Sequence, residues 1–179
     1  PEYELTLIEK GRGRRLIGDS HEFFENGDLV LIGPGLPHTW VSNENDKGKC
    51  QAIVIQFSVE FIERFAGLLE LTSIHNLLQS SKKGISFNNK EAVEVKALIK
   101  QLPSKNEVER ITHLLMILDE LSKLKKSKDH RWKRIAKQIK LKNINWKQRL
   151  LLQAPVFVYT ILDSLKSLLL KLGIKATTY

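Results

Sequence analysis

Two side chains with ligand-binding chemistry, His38 and Trp40, lie two positions apart in the sequence. On a β-strand, residues two apart project from the same face, so the imidazole and the indole would stand side by side. Such a pair is a suitable lining for a small-molecule pocket, because it combines apolar surface with a few orienting polar groups. The alternative is a structural histidine whose hydrogen bonds are satisfied within the fold.

The stretch that positions this pair runs from Gly27 to Trp40. A turn signal at residues 26–28 leads into an aliphatic run at residues 29–32, and two glycines and two prolines follow before His38. This order of residues predicts a short, buried strand that ends in a rigid, narrow loop.

The rest of the sequence up to residue 57 alternates between short strand patterns and turn signals. Residues 3–10 place Glu4 and Thr6 on one face of a strand and Leu5 and Leu7 on the other. Further strands are predicted at residues 14–17, 21–24, 51–57 and 84–87. Strands at this close spacing, with little helical potential between them, predict an antiparallel sandwich or barrel.

From Ser58 the apolar period becomes helical, which predicts helices over residues 61–69, 74–78 and 90–102. Ser104 and Glu107 form a capping-box pattern that opens the strongest helix. Its apolar stripe is wider than packing on one sheet requires, so burial against the sheet, a packed helix pair and a homodimer seam are all open interpretations. The residues assigned to the dimerisation seam are Ile111, Leu114, Leu115, Leu118 and Leu121.

Composition sets the outer limits. The 179 residues are enough for one domain with a core and an appendage, and there is no apolar run long enough for a transmembrane helix and no secretory signal. The lone Cys50 is consistent with a reducing cytoplasm. The formal net charge of +9 is concentrated in residues 123–149, where Asp129 is the only acid, so the basicity belongs to the tail.

The sequence Gly-Asp-Leu-Val-Leu-Ile-Gly-Pro-Gly-Leu-Pro-His-Thr-Trp at positions 27–40 resembles the second motif of the cupin superfamily. It is most similar to the form found in the sensor domains of AraC-type bacterial transcription regulators. Glu4, six residues and Gly11 match the second half of the first cupin motif, while the paired histidines of its first half are absent from this sequence. The resemblance runs from Pro1 to about Leu124.

The resemblance implies an α+β fold, with an antiparallel β-barrel or jelly roll of the cupin type followed by an α-helical dimerisation region. The implied domains are a ligand-sensing barrel at residues 1–88, a helical dimerisation segment at residues 89–127 and a basic tail at residues 128–179. It further implies a cytoplasmic homodimer that binds a small-molecule effector without catalysis, with no cofactor and no resident metal.

A small metal-dependent cupin enzyme, such as a dioxygenase or a sugar isomerase, is the alternative. Cupin metal sites bring two or three imidazoles and a carboxylate together inside the barrel. Only Glu4 and His38 match such positions here by motif. A metal held by three protein ligands would favour the enzyme, and an organic ligand against Trp40 would favour the sensor.

The expected effector is a small polyol or carboxylate. Trp40 could stack on the apolar face of a sugar ring, and Arg15 could donate two parallel hydrogen bonds to a carboxylate or to paired hydroxyls. Arg15 has two other interpretations, a solvated charge at a strand edge or an ion pair with Glu4. The predicted ligand-binding residues are Glu4, Thr6, Arg15, His38 and Trp40.

AraC-type regulators continue into two helix-turn-helix units that read DNA in the major groove, and no such pattern is legible in residues 128–179. Back-translation of residues 161–171 in a frame shifted by two nucleotides permits a peptide that resembles the end of that DNA-reading domain. One hypothesis is therefore a frameshifted or truncated DNA-binding region. The other is a basic arm that binds nucleic acid without specificity and with steep salt dependence.

Overall fold

The computed structural model describes residues 2–43, 50–124 and the backbone of 174–178. The strands are β1 Glu2–Lys10, β2 Gly13–Ile17, β3 Ser20–Phe24, β4 Leu29–Ile32, β5 His38–Ser42, β6 Gln51–Ser58, β7 Ile85–Ser86 and β8 Ile174–Thr178. The helices are α1 Val59–Glu63, α2 Thr72–Ser80, α3 Val93–Gln101 and α4 Glu107–Lys123. The strands predicted before residue 88 are all present within a residue or two of their expected bounds, and β7 lies at the edge of the large sheet.

All strand pairs are antiparallel, and the strands form two sheets. The large sheet has the order β7-β4-β1-β6-β8, and the small sheet has the order β3-β2-β5. Strand β1 lies at the centre of the large sheet, where Leu5 is paired with Leu31 of β4 and with Ile55 of β6. This arrangement, with helices following the sheets, fits the predicted α+β cupin-like domain.

One face of the large sheet packs on the helices. Alternation along β1 turns Tyr3, Leu5 and Leu7 toward this side, where they are buried in the main core. Helix α4 contributes to that core. Its fully buried contributors are Leu114, Ile117, Leu118 and Leu121.

The other face of the large sheet packs against the small sheet. At one end Ile8 and Ala52 contact Phe24, and at the other Val30 and Ile32 contact Ile17. Trp40 of β5 packs against both of these clusters. The indole therefore lies in the middle of the interior between the two sheets.

The helical prediction over residues 61–69 was wrong in its extent. Helix α1 ends at Glu63, and the chain continues in turns whose hydrogen bonds join residues three apart. Leu69 is 85% exposed in this stretch. Gly67 lies within this stretch, and glycine costs about 1 kcal/mol relative to alanine inside a helix. The apolar spacing alone therefore overstated the length of the helix.

The capping box of α4 also differs from the prediction. Asn106 accepts a hydrogen bond from the Glu109 amide at 3.3 Å, and the Glu109 carboxylate accepts one from the Asn106 amide at 3.2 Å. Ser104 instead donates to the Gln101 carbonyl, within a 3₁₀ turn that contains Pro103. The helix consequently starts two residues later than the predicted cap implies.

The predicted dimerisation seam divides into two sets. Leu114, Leu118 and Leu121 are fully buried in the core of the chain itself, whereas Ile111 and Leu115 are only partly buried. Burial in the core of the chain thus accounts for three of the five residues. Dimerisation through this helix stays a prediction.

The tail enters the described structure only through β8, which pairs with the outer edge of β6 from Ile53↔Thr178 to Phe57↔Ile174. Strand β6 thereby has a backbone partner on both sides. The predictions made for residues 128–173, including the frameshifted domain and the basic arm, lie outside the described residues.

Gly33 fixes the start of the loop that follows β4. Its amide donates to the Ser81 carbonyl at 2.8 Å, and a Cβ at this position would lie 2.8–2.9 Å from the backbone of Ser81 and Lys82. Only glycine allows that close approach. The helical layer therefore holds one end of the loop that carries His38.

Candidate ligand-binding site

The loop between β4 and β5 delivers His38 and Trp40 to the interior. Strand β5 pairs with β2 in a register that places His38 opposite Ile17 and Trp40 opposite Arg15. The imidazole and indole meet edge to face, with ring centroids 5.5 Å apart and an interplanar angle of 75°. The shared face that the spacing predicts is confirmed.

Glu4 lies across the interior from this pair and is held by three side chains. The Thr6 hydroxyl donates to Glu4 Oε1 at 2.9 Å, and the Gln56 amide nitrogen donates to Oε2 at 3.0 Å. His38 Nε2 lies 3.4 Å from Oε1. The carboxylate thus connects β1, β5 and β6.

The hydrogen bonds of His38 favour its protonated form. Nδ1 lies 2.7 Å from the Leu36 carbonyl oxygen, so it donates to that oxygen, and Nε2 then needs a proton of its own to donate to Glu4. Burial lowers the pKa of His38, but the bonds to Glu4 and to the Leu36 carbonyl outweigh burial and raise it. Burial raises the pKa of Glu4, and the bonds from His38, Gln56 and Thr6 reverse this and lower it.

A cavity of about 360 Å³ opens at this point, at the mouth of the interior between the sheets. Glu4, His38 and Gln56 supply polar groups to its wall. The remaining lining residues are Glu2, Tyr3, Ile32, Gly33, Gly35, Leu36 and Pro37. The cavity is at the lower end of the size range of small-molecule sites.

The cavity brings together part of the predicted set. Glu4 and His38 line it. Thr6 donates a hydrogen bond to Glu4, and the ring of Trp40 packs against the ring of His38. Sequence analysis missed Gln56, although a signal was present. Gln56 is paired directly with Glu4 on the neighbouring strand, so it belongs to the same face once that register is known.

Arg15 lies apart from the cavity in a buried ion network. Its side chain is 4% exposed and forms ion pairs with Asp28 and Glu22, and Nη2 donates to the Ser86 hydroxyl at 3.1 Å. Both the solvated strand edge and the pair with Glu4 are therefore wrong. Burial raises the pKa of Asp28, although Arg15 opposes the shift. Glu22 is paired with Arg15 on the adjacent strand, which is the sequence signal for this contact.

Two buried donors in the interior have no hydrogen-bond partner among the described residues. They are Nε of Arg15 and Nε1 of Trp40, which belong to directly paired positions on β2 and β5. A buried donor without a partner costs roughly 1–3 kcal/mol. The interior therefore retains hydrogen-bonding capacity for an acceptor oxygen from a ligand or a water molecule.

The motif positions of a cupin metal site, Glu4 and His38, do lie together, but they are bonded to each other. The other groups on Glu4 are an amide and a hydroxyl. In residues 2–43 and 50–124 no three His, Cys, Asp or Glu side chains are grouped closely enough to hold a metal ion. The arrangement is that of a hydrogen-bonding cavity.

Two facing antiparallel sheets with a polar cavity at their mouth define a cupin-like ligand-binding domain. Residues 1–118 match the family described as the AraC-like ligand binding domain, and the chain belongs to this family. No curated protein sequence matches the chain. None of the helices in the described part has the length and apolar character needed to cross a membrane.

Membership points to a ligand-sensing regulatory domain and not to an enzyme. This agrees with the resemblance seen in the sequence at positions 27–40. The family assignment also covers β1 to β7 and most of α4, so the cavity lies inside the matched region.

We predict that the Glu4–His38 pair makes stability depend on pH. The raised pKa of His38 means that its contribution is complete below the unfolded pKa of 6.5 and is lost as pH rises through the folded value. The lowered pKa of Glu4 means that its contribution is complete above 4.5 and is lost as pH falls through the folded value. The pair therefore stabilises most between pH 4.5 and 6.5.

The measurement is a double-mutant cycle of Glu4→Gln and His38→Gln by urea unfolding. We expect a coupling free energy of about 1.5 kcal/mol near pH 5.5 and a much smaller one near pH 8.5. Equal coupling at both values would contradict the charged pair.

Arg15 is predicted to be essential to the stability of the interior. Arg15→Met removes the guanidinium that pairs with the largely buried carboxylates of Asp28 and Glu22, which should cost about 3 kcal/mol of unfolding free energy. Arg14→Met is the matched control, because Arg14 is exposed on the same strand and lies 5.6 Å over the Phe23 ring. We expect the control to lose less than about 1 kcal/mol. Equal losses in chemical denaturation would show that the Arg15 network does not stabilise the fold.

Proposed function

We propose that the chain is the effector-binding domain of an AraC-type transcription regulator and that the effector occupies the cavity at Glu4, His38 and Gln56. The observation that carries the proposal is the cavity itself, which lies within the family-matched region and has polar groups from three strands directed to one point. Few, precisely placed polar groups in an otherwise apolar lining are typical of small-molecule sites.

The wall around these polar groups has the composition that a selective site requires. Ile32, Leu36 and Pro37 provide apolar surface, while Thr6 and Trp40 fix the two polar groups that face each other. Side chains held by their own neighbours lose little conformational freedom when a ligand binds. The site is therefore preorganised for a small effector.

The proposal includes a homodimer formed through α4. Val108 is 71% exposed, and Ile111 and Leu115 follow it on the same face of the helix at the border of the core. These three residues form an apolar strip that the chain itself only partly covers. A second copy that covered the strip would link two sensor domains.

In this proposal the domain acts in the cytoplasm and affects transcription through a helix-turn-helix domain, which is not legible in the sequence. The expected partners are a small-molecule effector, a second copy of the chain and, through that domain, DNA. The domain binds the effector without converting it, so the proposal includes no catalysis and no cofactor.

The effector site can be tested by filling the cavity. We expect Leu36→Trp to occupy the space between the loop and β6 and to abolish the stabilisation that a hit from an unbiased small-molecule library gives to the full chain. Leu68→Trp is the matched control, because Leu68 is 50% exposed and lies outside the cavity lining. The readouts are thermal stability and the indole NMR signal of Trp40. A hit that still stabilises the Leu36→Trp protein would move the effector site elsewhere.

The dimer can be tested at Val108 without disturbing the core. We expect Val108→Glu to raise the dimer dissociation constant at least about tenfold, because a charge in the apolar strip loses its solvation on association. Val93→Glu is the control, since Val93 is 63% exposed near the start of α3. Sedimentation equilibrium gives both constants. A parent chain that is monomeric at high concentration, or equal effects of the two variants, would refute this interface.

A further inference from the structure

Two buried hydrogen-bond donors lie at paired positions of the small sheet. Arg15 on β2 is directly opposite Trp40 on β5, and residues so paired carry their Cβ atoms about 5 Å apart on one face. Arg15 Nε and Trp40 Nε1 are buried there without a hydrogen-bond partner in residues 2–43 and 50–124. One oxygen atom has two lone pairs and can accept from both donors. We call these two nitrogens the inner subsite.

The fold holds both donors in fixed directions. The other two guanidinium nitrogens of Arg15 bind Asp28, Glu22 and Ser86, which fixes the plane of the group and hence the direction of its Nε–H. The Trp40 indole packs on both apolar clusters between the sheets. Because these side chains are already immobilised, an acceptor that binds them pays little for ordering them.

The charges around the inner subsite already balance. They form two groups of equal and opposite charge, Arg15 with Lys96 against Asp28 with Glu22, and protonated His38 against Glu4. A carboxylate would therefore bring an unmatched negative charge into the interior, which is costly. An ammonium group has no acceptor for the two N–H groups. An uncharged oxygen satisfies both donors and adds no charge.

The inner subsite lies behind the wall of the cavity. Neither of its donors lines the cavity, but Ile32 and Leu36 do. Ile32 also belongs to the apolar cluster against which Leu36 and Trp40 pack. Gly35, beside Leu36, has a φ of 73°, and no atom of the described residues beyond its chain neighbours lies within 4 Å of its Cβ position. The tip of the loop that carries Leu36 is therefore not packed against the fold.

We infer that the effector is an uncharged molecule that places one acceptor oxygen, a carbonyl, ether or hydroxyl, on Arg15 Nε and Trp40 Nε1. The inference rests on the proposed function, because it names a ligand class for the same site. The body of the molecule fills the cavity, and its oxygen reaches the inner subsite past Leu36, which shifts outward with the loop tip. A molecule without that oxygen leaves two buried donors unpaired, and this is a strong basis for rejecting it.

The test uses matched probes that differ in one group. The ring series is cyclohexanone, cyclohexanecarboxylate and cyclohexylamine, and the polyol series is glucose, glucuronate and 6-amino-6-deoxyglucose. Each probe is titrated into the full chain, and the NMR signals of the Trp40 Hε1 and Arg15 Hε protons are followed. We expect the uncharged member of at least one series to bind at least about tenfold more tightly than either charged member. It should also move both donor proton signals downfield.

Two variants connect that preference to the inner subsite. Trp40→Phe removes the Nε1–H and keeps an aromatic ring, so it should weaken binding of the uncharged probe at least about fivefold. Phe23→Leu is the matched control, because Phe23 is a 72% exposed ring in the same sheet, and it should leave the affinity unchanged.

The second variant tests the other donor without changing the charge. Arg15→Lys keeps the cation beside its carboxylates and removes the Nε–H, so it should also weaken binding at least about fivefold. Arg14→Lys is the control at the neighbouring exposed position of β2. Since Trp40→Phe leaves a space and Arg15→Lys disturbs an ion network, agreement between the two variants excludes a general loss of packing as the cause.

The outcomes separate this inference from the proposed function. It is overturned by tighter binding of a charged probe, by no binding of either uncharged probe, or by losses no larger than those of the controls. A long-lived water that keeps its NOE to Trp40 Hε1 while the probe is bound also overturns it, because the donors then serve the water. The library screen with Leu36→Trp still decides whether the cavity binds effectors at all. A charged hit that Leu36→Trp excludes would uphold the site and refute only the uncharged ligand class.

Discussion

The site depends on the alternation of β1, which is the central strand of the large sheet. Glu4 and Thr6 point into the interior between the sheets, while Tyr3, Leu5 and Leu7 point into the helical core. A register slip of one residue would exchange these faces and place a carboxylate in the apolar core. The free energy of burying those apolar residues therefore also fixes the position of the polar groups. The contact between Glu4 and His38 is a consequence of core packing.

Much of the sheet structure could be predicted from the sequence because its signals are local. Alternation and turn residues were sufficient to find β1 to β4, β6 and β7. Strand β5 was not predicted as an element, although the spacing of His38 and Trp40 was sufficient to place them on one face. The prediction of one helix over residues 61–69 was wrong because the spacing of apolar residues does not show where the backbone turns. The prediction of the α4 cap was wrong because two capping patterns, one beginning at Ser104 and one at Asn106, overlap within six residues. Ser104 lies in the 3₁₀ turn that contains Pro103, so Asn106 caps the helix.

The site could be predicted only in part, because the rest depends on register. Glu4 and His38 were recognised from motif positions, but Gln56 is joined to them only by the pairing of β1 with β6. Arg15 shows the same limit more clearly. An arginine at this strand position is compatible both with a ligand contact and with a surface charge. Only the pairing with Glu22 and the ion pair with Asp28 show that its charge is already matched.

The polar interior reaches the helices by two sets of contacts, and they differ in physical character. The apolar set runs through β1, whose outer side chains pack in the same core as Leu114 and Ile117 of α4. The polar set runs from Arg15 to Asp28, which interacts electrostatically with Lys96 of α3, and Lys96 donates to Asn89 before that helix.

A tightly packed core resists continuous deformation, so it transmits a change only if it has two discrete arrangements. A buried charge responds over a longer range and with less movement, because the interaction weakens slowly with distance in a poorly screened interior. A ligand that changes the charge near Glu4 would therefore influence the helices more readily through the Arg15–Asp28–Lys96 charges than through displacement of the core. The size of that effect is the coupling free energy between the cavity and α3.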